Sequence, residues 1–268
     1  MDYFKKFDSV GAFRAYLENT PISASYKSWG CASHKEGRVS WFGTESYQDA
    51  DELMIYGDKD SAAKMAAAAV RLRGGSDGSR RAFVDSVAGF TPNVPNYLRG
   101  LPCSMITASK VATKNKVINL VYNQAANWMI TTDELAEAGA KVLAAVVAAE
   151  KNGYRVNMYA AGISKSKSGL TNTALFVKIK DAASYITPAK IAYFLVNPSF
   201  LRRHKFAYLE RQPLTGKDWE NYGYPQNSID KVRAAAAAVG ISGACLTYDQ
   251  VKNMTVQQIA DAMTGAAK

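Results

Sequence analysis

The sequence predicts an α/β protein: a three-layer sandwich with a mixed, mostly parallel sheet, preceded by a smaller α+β N-terminal region. Three neighbouring segments carry this prediction. VINLVY (117–122) is a short apolar run, typical of a strand buried on both faces. Thr131 and Glu134 form a capping-box signature for a helix that reaches about Asn152. YRVNMYA (154–160) then predicts a second strand, parallel to the first in a strand–helix–strand unit.

Length and composition agree with a folded chain that has two regions. The chain has 268 residues and is 48% hydrophobic, which excludes wholesale disorder. The pattern becomes regular after about residue 111, so we expect an N-terminal α+β region at 1–111 and an α/β domain at 112–268. No run is long and apolar enough for a membrane helix, and the start lacks the apolar core of a signal peptide.

The N-terminal region is predicted from capping residues and turn formers. A short helix is expected over Val10–Leu17 and a strand over Arg38–Gly43, because RVSWFG is rich in aromatic and β-branched residues. The remaining expectations are a helix capped by Thr44 or Ser46 that ends before Gly57, an alanine-rich helix capped by Asp58, and an extended or turn-like segment at 91–102.

The second region continues the alternation of strands and helices. ISKSKSGLTN (163–172) is expected as a loop, and TALFVKIK (173–180) as a strand antiparallel to the preceding one, because no helix fits between them. The remaining expectations are helices opening at Thr187, Pro198 and Ser228 or Asp230, an irregular stretch at 213–226, a strand in GACLTY and a helix in TVQQIADAMTG.

Charge is segregated along the chain. Lys and Arg number 33 against 23 Asp and Glu, for a net charge of +10. Residues 45–60 hold six acids and one base, whereas 61–116 and 164–211 each hold nine bases and two acids. The basic segments favour nucleic acid or an acidic protein as partner. The alternative is that basic and acidic faces neutralise each other within the fold.

Two glycine- and serine-containing loops are candidates for phosphate contact. Backbone N–H groups and cationic side chains in such loops bind phosphate oxygens. The candidate residues are Arg71, Arg73, Arg80, Arg81, Lys165 and Lys167. Neither loop matches the phosphate-loop motif of ATP-binding proteins. We expect weak, salt-sensitive, sequence-independent nucleic-acid binding; the alternative is that both are solvated surface loops.

The loop after the first parallel strand is the strongest candidate for a ligand site, because ligands gather beyond the carboxyl ends of such strands. Its polar residues are Asn123, Gln124 and Asn127. The order of elements from here on resembles the von Willebrand A domain, whose first strand ends in a cation-binding Asp-x-Ser-x-Ser. That motif falls on Asn123, Ala125 and Asn127, without the carboxylate and both hydroxyls, so we expect no metal at this loop.

A second resemblance concerns origin. SWFGTESYQDADELMIYGD (40–58), NVPNYLRGLPCSM (93–105) and EKNGYRVNMYAAG (150–162) are similar to an uncharacterised family of phage and prophage proteins. The resemblance implies a phage or prophage source and a bacterial cytoplasmic location. It implies no activity.

Catalytic and metal-binding patterns are weak. Cys31 and His34 have the spacing of half a zinc site, but Cys103, His204 and Cys245 supply no second pair. A Cys31 nucleophile with His34 as base lacks a third orienting residue. With three cysteines we expect free thiols and a reducing compartment. We therefore expect a non-enzymatic protein without metal or cofactor.

Three functions remain open from the sequence, the third being an enzyme with an unrecognised site. The first is a binding protein that contacts nucleic acid through its basic loops. The second is a structural or assembly protein that self-associates through the aromatic Pro/Gly-rich segment containing Trp219, Tyr222 and Tyr224, with Tyr208 upstream. The basic run Arg202, Arg203 and Lys205 is expected on a helix that lies on the core with basic flanks, because successive helical positions are about 100° apart.

Overall fold

The structure is a computed structural model that describes residues 2–71, 82–109, 116–124, 130–214, 219 and 222–265. Its strands are β1 (Tyr3–Phe7), β2 (Ala82–Ser86), β3 (Thr91–Pro92), β4 (Met105–Ser109), β5 (Lys116–Asn123), β6 (Tyr154–Lys165), β7 (Asn172–Lys180), β8 (Tyr224–Pro225) and β9 (Ala244–Thr247).

Helices account for most of the remaining described residues. They are α1 (Val10–Asn19), α2 (Ala24–Trp29), α3 (Val39–Phe42), α4 (Tyr47–Tyr56), α5 (Lys59–Arg71), α6 (Val94–Leu98), α7 (Thr132–Lys151), α8 (Pro188–Val196), α9 (Lys205–Leu209), α10 (Ile229–Ala238), α11 (Tyr248–Asn253) and α12 (Val256–Gly265). A π-helical turn, Phe200–His204, leads directly into α9. No helix among these is both long and apolar enough to cross a membrane.

The main sheet confirms the predicted α/β class. Its strands follow the order β1-β7-β6-β5-β9, and β8 adds to β6. β5 pairs in parallel with both β6 and β9, and β1 pairs in parallel with β7. β6 and β7 form the predicted antiparallel pair. The sheet is therefore mixed, with its parallel core centred on β5.

Alternation along the strands divides the core between the two faces of the sheet. Leu120 of β5 and Met158 of β6 pack with α7 on one face. Val121 and Ala161 point to the other face, where they pack with α10. Helices on both faces give the three predicted layers.

The N-terminal residues contribute directly to the main sheet. β1 extends the edge beyond β7, and Phe7 lies in the same apolar cluster as Leu175. Residues 2–71 thus share the sheet and its core, whereas 82–109 form a separate three-stranded sheet. The boundary at 111/112 lies in the chain between β4 and β5, although β1 of the N-terminal region belongs to the main sheet, and it stays a prediction.

Local capping explains the helices that the sequence predicted correctly. Ser46 and Asp49 form a capping box at α4, and Gly57 follows the end of that helix. Thr131 and Glu134 form the expected capping box at α7. Asp58 accepts the N–H of Ser61 at 2.9 Å and so caps α5.

Three local predictions are wrong. RVSWFG forms the single turn α3 rather than a strand, because Arg38 and Gly43 bend the chain at positive φ and Phe42 is buried. The segment 91–102 contains α6, which tolerates Pro95 in its first turn. The expected loop 163–172 is wrong only at its ends: β6 continues to Lys165 and β7 begins at Asn172, which leaves 166–171 as the loop.

Candidate functional site

The predicted ligand loop begins with two fully buried amides at the carboxyl end of β5. Asn123 donates from Nδ2 to the carbonyl of Gln226 at 2.9 Å, and its Oδ1 accepts the N–H of Ile163 at 3.4 Å. Gln124 extends the ladder, since its N–H donates to the carbonyl of Ala161. Asn127 lies outside the described residues.

The Gln124 side chain differs from that of Asn123. It is fully buried, yet neither Nε2 nor Oε1 has a hydrogen-bond partner in the described part of the chain. A buried amide without partners costs about 1–3 kcal/mol, so such a group requires an explanation.

A buried lysine of helix α9 reaches the neighbouring strand, β6. Lys205, at the start of α9, is only 5% exposed, and its Nζ donates to Ser164 Oγ at 2.6 Å. A Cβ atom on Gly162 would lie 2.8 Å from Cδ of Lys205, so the lysine stem occupies the space that the glycine leaves. Burial lowers the pKa of Lys205 to about 7.

The π-helical turn places a second set of charged side chains in the interior. Arg203 is fully buried and donates to the carbonyls of Ser33, Lys35, Thr44 and Glu45 and to Thr44 Oγ1. The guanidinium therefore fastens residues 33–45, which have little regular structure, to the turn.

His204 and Glu210 complete this buried network. His204 Nδ1 is hydrogen-bonded to the hydroxyl of Tyr193, and its Nε2 lies 3.8 Å from Asp51. Burial lowers the pKa of His204, which favours the neutral ring. Glu210 accepts from Ser33 and from the hydroxyl of Tyr222. Because Arg203 and Glu210 bind several segments of the chain together, we interpret the network as structural, although His204 Nε2 has no hydrogen-bond partner among the described residues.

The basic run was predicted to flank a core-facing helix, and that prediction is wrong for two of its three residues. Arg203 and Lys205 are buried, because the π-helical turn carries both of them inward. Arg202 is partly exposed and stacks its guanidinium 3.9 Å from the Trp41 ring.

The candidate phosphate contacts are only partly placed. Lys167 is exposed in the hairpin between β6 and β7, and Lys165 is half-buried at the end of β6. Arg73, Arg80 and Arg81 lie outside the described residues, as does the side chain of Arg71 at the end of α5. The structure therefore brings only the two lysines together.

An open cleft of about 450 Å³ lies at the carboxyl ends of β1 and β7. Its charged lining includes Arg14, Lys178 and Asp181. Lys178 is 3.4 Å from Asp181, and Arg14 is 3.0 Å from Asp51. Each of these three side chains is thus paired with an opposite charge and does not by itself select a ligand.

The cysteines and histidines do not form a cluster. Cys31 is half-buried, Cys103 is exposed and Cys245 is buried, and none is in a disulfide. His34 is bonded to Ser33 Oγ through Nδ1 rather than to Cys31. Within the described ranges, no three Cys, His, Asp or Glu side chains are grouped to hold a metal ion.

The aromatic segment proposed for self-association is mostly interior. Trp219, Tyr222 and Tyr208 are buried in the cluster that includes Phe7. Phe206 stacks on Tyr222 with ring centroids 4.0 Å apart. Of the four rings proposed for self-association only Tyr224 is exposed, because the other three complete the core edge, so this segment offers little aromatic surface for that contact.

Exposed apolar side chains are concentrated elsewhere, in residues 82–109, which we call the apolar module. No residue of 85–107, the part whose side chains are described, is buried. Six large apolar side chains there are between 46% and 78% exposed: Val87, Phe90, Val94, Tyr97, Leu98 and Leu101.

A polar scaffold gives the apolar module a defined shape. Asp85 accepts from the side-chain amides of Asn93 and Asn96 through its two carboxylate oxygens, at 2.8 and 2.9 Å. Asn93 caps α6, and Asn96 also donates to the carbonyl of Cys103 at 3.2 Å. β2, β4 and β3 pair antiparallel in that order. The apolar side chains are therefore displayed on an ordered framework.

Comparison with known proteins identifies a family. The model of a domain of unknown function, DUF7192, matches residues 1–263. The chain belongs to this family. The match covers the main sheet, its helices and the apolar module together, and it confirms the resemblance to an uncharacterised family. No curated protein and no solved structure matches this chain.

Sequence reasoning missed Lys205 and the apolar module for different reasons. Lys205 stands beside two other bases, and nothing in that run separates the buried residues from the exposed one. Leu98 and Tyr97 are typical core residues, so their exposure has no local signal. The one sequence signal for the apolar module is its low charge, since Asp85 and Arg99 are the only charged residues in 82–109.

Proposed function

We propose that this chain is a non-enzymatic assembly protein that self-associates through the apolar module, residues 82–109. The observation that carries the proposal is the exposure of six large apolar side chains on a segment without a buried residue between 85 and 107. Large exposed apolar side chains concentrated in one short segment favour a protein–protein interface there.

The described side chains of the apolar module, 85–107, lack the usual source of stability, a buried apolar core. Ordering a residue costs about 1–2 kcal/mol of conformational entropy, which burial of apolar surface normally offsets. Three strands need a hydrophobic face packed against something to be stable. Burial against a partner supplies what the described part of the chain does not.

Charge favours a second copy of the chain as that partner. The apolar module contains one acid and one base, Asp85 and Arg99, in a chain with a net charge of +10. Nucleic acid would find no excess positive charge there. Two identical neutral apolar faces complement each other across a two-fold axis, the commonest symmetry of homo-oligomers.

An open strand edge supports the same arrangement. β2 pairs with β4 on one side, and among the described strands it has no neighbour on the other. Two such edges pair readily with each other. Self-pairing of β2 would join two three-stranded sheets into one.

Sedimentation velocity of the purified full chain over a wide concentration range tests the proposal. We expect a monomer–dimer or higher association that changes little between low and high salt, because the contact is apolar. A monomer at every concentration would contradict it. Association that disappears in moderate salt would also contradict it and favour a charged contact.

Nucleic-acid binding through the basic loops is a second candidate. The exposure of Lys167 at the tip of the β6–β7 hairpin favours it, together with the net charge of the chain. Fluorescence anisotropy with single- and double-stranded oligonucleotides is the test. Affinity should fall roughly 10³-fold or more between ~50 and ~200 mM salt if several phosphates are contacted. Binding restricted to an acidic protein, or no binding, would reject this candidate.

A phage or prophage origin and a bacterial cytoplasmic location also belong to the proposal. A distant relationship to the von Willebrand A domain is supported by the order β7-β6-β5-β9 with an antiparallel β7. Asn123 stands where that family has its cation-binding aspartate, which favours a domain without the metal.

A further inference from the structure

Four polar side chains of the main sheet and α9 meet on one face near the carboxyl ends of β5 and β6. Ala160 of β6 and Leu175 of β7 belong to the same apolar cluster, so Gly162, Ser164 and Thr173 share their face by alternation. Ser164 lies directly opposite Thr173 in the β6–β7 pair. Facing residues in an antiparallel pair have Cβ atoms about 4.5–5.5 Å apart.

Gln124 joins this group from β5. Tyr122 of β5 pairs with Ala160 of β6 in parallel. Two residues further along both strands, on the same face, Gln124 therefore lies beside Gly162. The Lys205 stem covers Gly162 and ends at Ser164. Gln124, Lys205, Ser164 and Thr173 form one group, which we call the carboxyl-end cluster.

Several polar atoms of the carboxyl-end cluster have no hydrogen-bond partner among the described residues. Gln124 and Thr173 are both fully buried, and within the described residues neither the amide atoms of Gln124 nor Thr173 Oγ1 has a partner. Lys205 forms none of the ion pairs in that same part of the chain, and Ser164 is the acceptor that the structure gives its ammonium.

We propose that the carboxyl-end cluster binds a small 2-hydroxycarboxylate. The single ammonium of Lys205 matches one carboxylate charge, and a buried cation is stabilised by an opposite charge beside it. Gln124 Nε2 and the Thr173 hydroxyl donate to the carboxylate oxygens. Gln124 Oε1 accepts from the ligand hydroxyl, which a simple carboxylate lacks.

The same features disfavour the two obvious alternatives. A phosphate dianion would carry a second negative charge into an interior that offers one cation. A buried water would satisfy the hydrogen bonds of a neutral Lys205 amine, but only a carboxylate also supplies the opposite charge that stabilises the ammonium form. The proposal is independent of the proposed self-association, because the carboxyl-end cluster lies in the main sheet and not in the apolar module.

Isothermal titration of the full chain with glycolate, acetate and inorganic phosphate tests the proposal. We expect glycolate to bind more tightly than acetate, and phosphate not to bind. Lys205→Met keeps the apolar stem and should weaken glycolate binding at least about tenfold, because it removes a charge-assisted hydrogen bond to the carboxylate. Lys167→Met, on the exposed hairpin, is the matched control and should bind as the wild type does.

Gln124→Leu provides a second variant and should abolish the preference for glycolate over acetate. Binding that is equal in the wild type and Lys205→Met would overturn the proposal. Absence of glycolate binding to the wild type, or a preference for phosphate, would also overturn it and leave a water-filled or purely structural cluster.

Discussion

Gly89 and Ile106 approach so closely that no side chain fits between them. A Cβ atom on Gly89 would lie 2.1 Å from the carbonyl oxygen of Ile106. That same carbonyl accepts the N–H of Phe90 at 3.0 Å, just before β3 pairs with β4. The contact fixes the bend that brings Phe90 to the surface of the apolar module.

Gly89→Ala should therefore disrupt the apolar module. The neighbouring atoms belong to the backbone and cannot turn away. We therefore expect the substitution to lower the stability of the apolar module by about 1–3 kcal/mol. Hydrogen exchange of amides in 82–109 should become fast, and self-association should weaken. Thermal unfolding of the rest of the chain should not change.

Gly11→Ala is the control, because the nearest atom to its Cβ would be Ser9 Oγ at 3.8 Å. It should leave exchange in 82–109 as it is in the wild type. Unchanged exchange in Gly89→Ala would show that the close approach to Ile106 is not needed.

Arg203 and Arg202 are adjacent but should differ strongly in their effect on stability. Arg203→Met leaves several buried carbonyls without donors, and we expect a loss of at least about 3 kcal/mol in the free energy of unfolding. Arg202→Met removes a partly exposed stacking contact with Trp41, for which about 1 kcal/mol is expected. Urea denaturation of both variants measures the difference; equal losses would contradict the structural role of the network.

Lys205 should make stability depend on pH in a definite direction. Burial lowers its pKa to about 7 in the folded chain, against about 10.4 for an unfolded lysine. The unfolded chain therefore binds more protons between these values, and stability rises with pH across that window, by at most about 1.4 kcal/mol per pH unit.

The comparison of wild type with Lys205→Met isolates this contribution. The buried tyrosines have raised pKa values and act in both proteins alike, so they cancel in the difference. Chemical denaturation from about pH 7 to about pH 9, in buffer without carboxylates, should show the rise only in the wild type. A parallel dependence in both proteins would show that Lys205 is not the titrating group.

How much the sequence predicts depends on whether the signal is local. Thr131, Glu134 and Gly57 act on their own helices, and the elements that they bound are predicted correctly. Arg38–Gly43 fails because a strand needs a partner strand, whereas burial of Phe42 and bends at both ends decide its structure. The first strand of the chain was missed because YFKKF lacks a clear alternation, and its pairing with β7 bridges about 170 residues.

The candidate sites follow the same division. Gln124 was found from the rule that ligands gather beyond the carboxyl ends of parallel strands. Lys205 was not, because its burial results from the π-helical turn and from the space above Gly162, which sequence spacing does not show. The apolar module was missed because exposure depends on what packs against a residue and not on its type.

Leu98 and Leu170 give the most direct test of self-association. Both are leucines at the surface, 78% and 82% exposed, but Leu98 lies in the apolar module and Leu170 in the β6–β7 hairpin. A glutamate at either position should leave the monomer folded, since neither side chain is buried. Sedimentation velocity of Leu98→Glu and Leu170→Glu is the measurement. We predict that Leu98→Glu is monomeric at concentrations where Leu170→Glu and the wild type associate, whereas equal association of all three proteins would contradict assembly through the apolar module.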